Sequence, residues 1–111
     1  MDVQASIDGL INVLKERPLM VLNGDTSYYS YKIYIEGFLF GLSSAYNINL
    51  ILNITLWFRR RIKIEMDVFW TDYIPIYYKD ETEDELKRIL LQTLSNYFEE
   101  NPEWERPKED K

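Results

Sequence analysis

NINLILNITLWFRRR, residues 47–61, is the stretch on which the fold class turns. Read with a period of two, Ile48, Leu50, Leu52, Ile54, Leu56 and Phe58 are all apolar, which describes a strand. Read with a period of 3.6, Leu50, Ile51, Ile54, Trp57, Phe58 and Arg61 share one face. Asn47 or Asn49 then serves as N-cap, and the arginines fall at the end where the helix dipole favours cations. The helix reading predicts an all-α, single-domain bundle of about five helices. The strand reading predicts an α+β fold with a strand pair over 47–68.

The preceding segment tips the balance towards helix. In SYKIYIEGFLFGLSSAY (30–46) only Glu36 is charged between Ile33 and Tyr46, and large apolar residues fall on every side of a helical wheel. That pattern predicts a helix buried at the centre of a bundle, or in a membrane. Gly37 and Gly41, four apart, mark a line where a neighbouring backbone could come close. In a strand they would lose backbone entropy and pack nothing. A following helix, reached by a short connection, could pack on them.

Towards the N-terminus, Val3, Ile7, Leu10, Ile11 and Leu14 predict a helix over 3–16, stopped by Arg17-Pro18. Leu19 to Leu22 form a short apolar connector, Asn23-Gly24-Asp25 is a turn signal, and Thr26, Ser27 or Ser30 can cap the central helix. Towards the C-terminus, residues 62–68 alternate and suggest a brief extended segment, and Pro75 is expected to interrupt any helix over 69–78. Thr82 and Glu85 form a capping box ahead of the stripe Leu86, Ile89, Leu90, Leu94, Tyr97 and Phe98, which Asn101-Pro102 ends. One domain over 1–107 is expected, with a frayed tail over 108–111.

The composition narrows the possible chemistry. Cysteine and histidine are both absent, so there is no thiolate, no imidazole base and no predicted metal or cofactor site. Asp67 and Asp72 bracket Trp70, and a carboxylate pair over an aromatic floor could suit glycoside hydrolysis; two ordinary solvated acids are the simpler reading, and no enzyme is expected. Arg59, Arg60, Arg61 and Lys63 could grip phosphates while Trp57 and Phe58 stack, but the dipole explains a basic helix end, so direct nucleic-acid binding is not expected. Gly37 to Phe58 is long enough without charge to suggest a membrane span. Asn47, Asn49, Asn53, Ser43, Ser44 and Thr55 make that costly, and no membrane association is expected. The N-terminus lacks the basic-then-apolar layout of a secretory signal, consistent with a cytoplasmic chain.

Charge and aromatic content point to a protein partner. The net charge is −6, and residues 80–111 account for all of it with eleven acids against five bases. Nine tyrosines and three tryptophans exceed what a small core needs, and these side chains anchor interfaces at little rotamer entropy. The clusters Tyr28-Tyr29-Ser30-Tyr31 and Tyr73 to Tyr78 cannot both lie wholly inside, and the second runs into the acids Asp80 to Glu85. Contact residues are therefore expected at Asp25, Tyr28 and Tyr31 on one edge. Asp72, Tyr73, Tyr77, Tyr78, Asp80 and Glu81 are expected on another. The simpler account is that the tyrosines close the bundle with their hydroxyls at its rim.

LKERPLMVLNGDTSYYSYKIYIEGFLFGL, GLSSAYNI, WFRRRIKIEMDVFWTDYI and ELKRILLQTLSNYFEENPEWE together resemble small bacterial immunity proteins of polymorphic toxin systems, including contact-dependent growth inhibition systems. Leu19-Met20-Val21 departs from the pattern in lacking a Gly and a Tyr beside the Met. The resemblance implies a cytoplasmic inhibitor of a secreted toxin domain, often a nuclease. It carries over no contact residues. A nuclease site is basic because it holds phosphates, so an acidic protein can occupy it by mimicking that charge. The alternative is a structural or regulatory bundle that self-associates as a homodimer through Gly37, Gly41 and exposed tyrosines.

Overall fold

The computed structural model describes residues 3–63 and 67–106. The chain runs α1 (Val3–Glu16), a 3₁₀ turn (Pro18–Met20), α2 (Tyr28–Tyr46), α3 (Leu50–Ile62), α4 (Trp70–Tyr77) and α5 (Glu83–Glu100), with no strand among the described residues. The all-α bundle is therefore the architecture, and residues 47–61 are helical. Their extended alternative fails at both ends for local reasons. Asn47 adopts the left-handed conformation (φ 56°) and closes α2, donating its N–H to the Ser43 carbonyl. Asn49 then opens α3, its side chain accepting from Leu52 N–H. Ser43 braces the corner: its Oγ donates to the Leu39 carbonyl and accepts Leu50 N–H at 2.9 Å. The two helices meet at a bend of 114°, and no single helix among the described residues is long and apolar enough to cross a membrane.

The other caps also follow local chemistry. Ser27 caps α2 through Ser30 N–H, and Thr82 caps α5 through Glu85 N–H. Helix α5 packs against α1, α2 and α4, while α2 packs against α3 and α5. Its face Leu90, Leu91, Leu94, Tyr97 and Phe98 meets Ile7, Leu10, Ile11 and Leu14 of α1 and Ile35 and Leu39 of α2 in one hydrophobic core.

Two expectations about these helices are corrected. The segment over 30–46 is not buried all round: only Tyr28, Tyr31, Ile35 and Leu39 of α2 are buried, and Phe40 is 67% exposed. Gly37 and Gly41 lie on the uncovered side, where an added Cβ would meet nothing within 4 Å, so they provide no close approach within the chain. Helix α3 packs instead on the inner stripe.

Pro75 does not interrupt the 69–78 segment but sits inside α4. A proline there removes the amide that would reach the carbonyl four residues back, at Thr71. Tyr28 supplies the missing donor, its hydroxyl reaching that carbonyl at 2.7 Å in the interior. Of the expected extended segment over 62–68, Ile62 ends α3 and Lys63 takes the left-handed cap position; residues 64–66, like the expected tail over 108–111, lie outside the described residues.

Candidate protein-docking surface

The N-termini of α2 and α5 lie side by side because side chains of α5 serve the backbone that opens α2. Glu83 accepts Tyr28 N–H at 2.7 Å, and Lys87 Nζ donates to the Thr26 carbonyl at 2.8 Å. This brings Asp25 to the same end of the molecule as Asp80, Glu81, Glu83 and Asp84, all exposed. Two helix N-termini favour carboxylates through their dipoles, which accounts for the acids being tolerated together. Asp25 is fixed by Ser27: that backbone amide, with the Ser30 and Ser27 hydroxyls, holds its carboxyl below the usual range. Asp84 pairs with Lys87, and Glu85 with Arg88, whose guanidinium lowers the Glu85 pKa. Among the described residues no ion pair engages Asp25, Asp80 or Glu81.

Aromatic and apolar side chains stand beside these acids. Tyr77 is 47% exposed and meets the half-buried Tyr78 edge-on at 4.9 Å, and Ile76 is exposed next to them. The C-terminal end of α1 reaches the same region, since Leu14 and Lys15 line an open cleft of about 410 Å³ with Tyr31, Asp84, Lys87 and Arg88. The 3₁₀ turn that follows leaves Leu19 and Met20 67% and 69% exposed. These two, with Ile76 and Tyr29, were not among the expected contact residues. The signal for the pair was present: an apolar connector directly after a helix-stopping Arg-Pro has no neighbour in sequence to cover it.

Three expected contact residues are corrected. Tyr28, Tyr31 and Tyr73 are buried in the core. Their hydroxyls explain why a tyrosine can be there: Tyr28 bonds the Thr71 carbonyl, and Tyr31 bonds the Leu14 carbonyl at 2.8 Å beneath the ammonium of Lys87. Tyr73 packs its ring against Phe58. Burial, with the nearby charges of Asp72 and Glu36, pushes the Tyr28 phenol well above its ordinary range. Asp72 is half-exposed and belongs to a polar seam between α2 and α4, where Lys32 bridges it to Glu36, each at 3.5 Å, and Glu36 accepts the Thr71 hydroxyl. Of the expected set, Asp25, Tyr77, Tyr78, Asp80 and Glu81 remain together at one accessible end.

The carboxylates Asp67 and Asp72 do line one open cleft, of about 340 Å³, with Leu52, Thr55, Arg59, Val68 and Phe69. Trp70 is fully buried and is not its floor; Phe69 is the aromatic residue there. The basic end of α3 closes the bundle. Arg61 donates from Nη1 to both carboxylate oxygens of Glu100, at 3.0 and 2.9 Å, and its guanidinium lies over Trp57, whose indole N–H bonds the same carboxylate. Trp57 and Phe58 are buried, so neither ring is placed to stack on a base.

In comparisons with known proteins, no family model, no curated protein and no solved structure matches the chain.

Proposed function

We propose that this chain is an immunity protein that neutralises a secreted bacterial toxin domain, a nuclease, by stoichiometric binding in the cytoplasm. The observation that carries the reading is the end formed by the α2 and α5 N-termini, where Asp25, Asp80 and Glu81 stand exposed beside Tyr77 with no ion pair among the described residues. Exposed carboxylates not held in an ion pair attract a phosphate-binding, basic surface and speed encounter. Tyr77, Tyr78 and the Leu19–Met20 tip then supply desolvated contact that slows dissociation. The resemblance to immunity proteins supports the choice of partner, and the charge and exposure support the choice of contact surface. An inhibitor of this kind needs no chemistry of its own.

The test is protection. The C-terminal domain encoded by the neighbouring gene is expressed under tight control, with and without this protein. Growth arrest by that domain, relieved by this protein, supports the reading. A harmless domain, or arrest that this protein does not relieve, contradicts it.

A further inference from the structure

We propose that residues 101–106 form a latch that opens and closes while the helical bundle stays folded, and that the ring of Trp104 holds it shut. The segment begins where α5 stops. Asn101 ends that helix, its backbone and side-chain amides both donating to the Tyr97 carbonyl, and Pro102 has no amide with which to continue it. Beyond that point the backbone bonds are made within the segment itself. Trp104 N–H reaches the Asn101 carbonyl at 3.0 Å, and Arg106 N–H reaches the Glu103 carbonyl at 3.1 Å. The ion pair here is local too, joining the exposed side chains of Arg106 and Glu103. Among the described residues, no hydrogen bond or ion pair runs from residues 102–106 to any helix.

One side chain ties the segment down. Trp104 is 8% exposed, whereas Pro102, Glu103, Glu105 and Arg106 are exposed. Its ring meets Phe98 of α5 edge-on at 5.4 Å and Tyr46, the last residue of α2, edge-on at 5.2 Å. Phe98 meets Tyr97, and Tyr97 meets Trp57 of α3, each edge-on at 5.3 Å. Trp104 is thus one link in a row of rings that joins α2, α3 and α5. The rest of the segment is not packed down: Tyr97, Asn101, Pro102, Glu103 and Arg106 line an open cleft of about 260 Å³ with Trp104. A segment fastened by one ring exposes little surface when it lifts, so it opens at a lower free energy than the bundle unfolds. Lifting it uncovers the edges of Phe98 and Tyr46 that Trp104 meets. Helix α5, about 27 Å long at 1.5 Å per residue, separates the latch from the acidic end, so its opening stands apart from the proposed inhibition.

Native-state hydrogen exchange of the full chain, followed by NMR over a series of low urea concentrations, tests this. The Trp104 and Arg106 amides should exchange at least a hundredfold faster than those of Leu90 and Leu94, which are fully buried in α5. Urea well below the unfolding midpoint should leave the latch rates unchanged, because the opening exposes little surface, and should accelerate the core amides. Trp104→Ala should raise exchange at Arg106 at least tenfold more than at Leu90, and Trp104→Phe should recover most of the protection. Latch amides that share the rate and urea dependence of the core open only with the bundle, and overturn the proposal. Exchange at the rate of an unstructured peptide overturns it as well, since nothing is then held shut. An Arg106 amide indifferent to Trp104→Ala, or changed only as much as Leu90, overturns the role of the ring.

Discussion

Pro75 leaves the Thr71 carbonyl without its helical donor, and the buried hydroxyl of Tyr28 takes that place across 43 residues of sequence. Tyr28→Phe should therefore destabilise the fold by about 1–3 kcal/mol, the penalty for a buried carbonyl left unsatisfied. Pro75→Ala restores an amide at the right position in α4, so the same Tyr28→Phe change should cost less in that background. A double-mutant cycle by urea unfolding measures the difference, and strict additivity would refute the pairing. The phenol also sets a pH dependence. Its pKa in the folded state is raised, first by burial and then by Asp72 and Glu36. In the unfolded chain tyrosine releases its proton from about pH 10 upward. The folded state then holds more protons, so this contribution to stability is complete below about pH 10 and is lost as pH rises beyond it. Tyr28→Phe should flatten, though not abolish, the alkaline fall in melting temperature, because burial raises Tyr97 as well. Asp25 behaves oppositely: its lowered pKa gives a contribution present above the ordinary carboxylate range and lost as pH falls below it. Tyr97 could be read from spacing as a core residue of α5, but the roles of Tyr28 and Tyr31 could not. Tyr28 and Tyr31 look like contact residues in the sequence because their partners are backbone carbonyls of distant elements.

At the scale of elements, the features set by adjacent residues were legible and those set by tertiary contact were not. The bounds of α1, the caps Ser27, Asn49 and Thr82, and the stop at Asn101 follow from chemistry within a few residues. Asn49→Ala should cost about 1 kcal/mol and fray the start of α3, seen as loss of amide protection there. The period-two pattern over 47–61 was misleading because Leu52 and Leu56 are apolar yet face outward. Pro75 misled because its compensation comes from another helix. Gly37 and Gly41 misled because a helix apolar all round need not be covered all round. With open space above each glycine, Gly37→Ala and Gly41→Ala should each stabilise the monomer by up to about 1 kcal/mol through helix propensity. Chemical denaturation of the dilute protein checks this, and a loss of stability would mean that the space is filled.

Across the whole molecule, charge is sorted by position. At the basic end of α3, Arg61 pairs with Glu100, whereas Asp25, Asp80 and Glu81 gather where two helices begin. The acidity of the last third was plain in the sequence. Its meeting with Asp25 was not, since it depends on Glu83 and Lys87 reaching the backbone that opens α2. Reversing Asp80 and Glu81 to lysine should leave the fold intact and, if the proposed inhibition holds, slow association with the toxin partner and weaken its dependence on salt. A calorimetric titration of this protein into the C-terminal domain encoded by the neighbouring gene, at low and at high salt, tests the proposed inhibition most directly. The expected result is one-to-one binding, nanomolar or tighter, that weakens as salt rises. Absence of binding, or an affinity indifferent to salt, would contradict it.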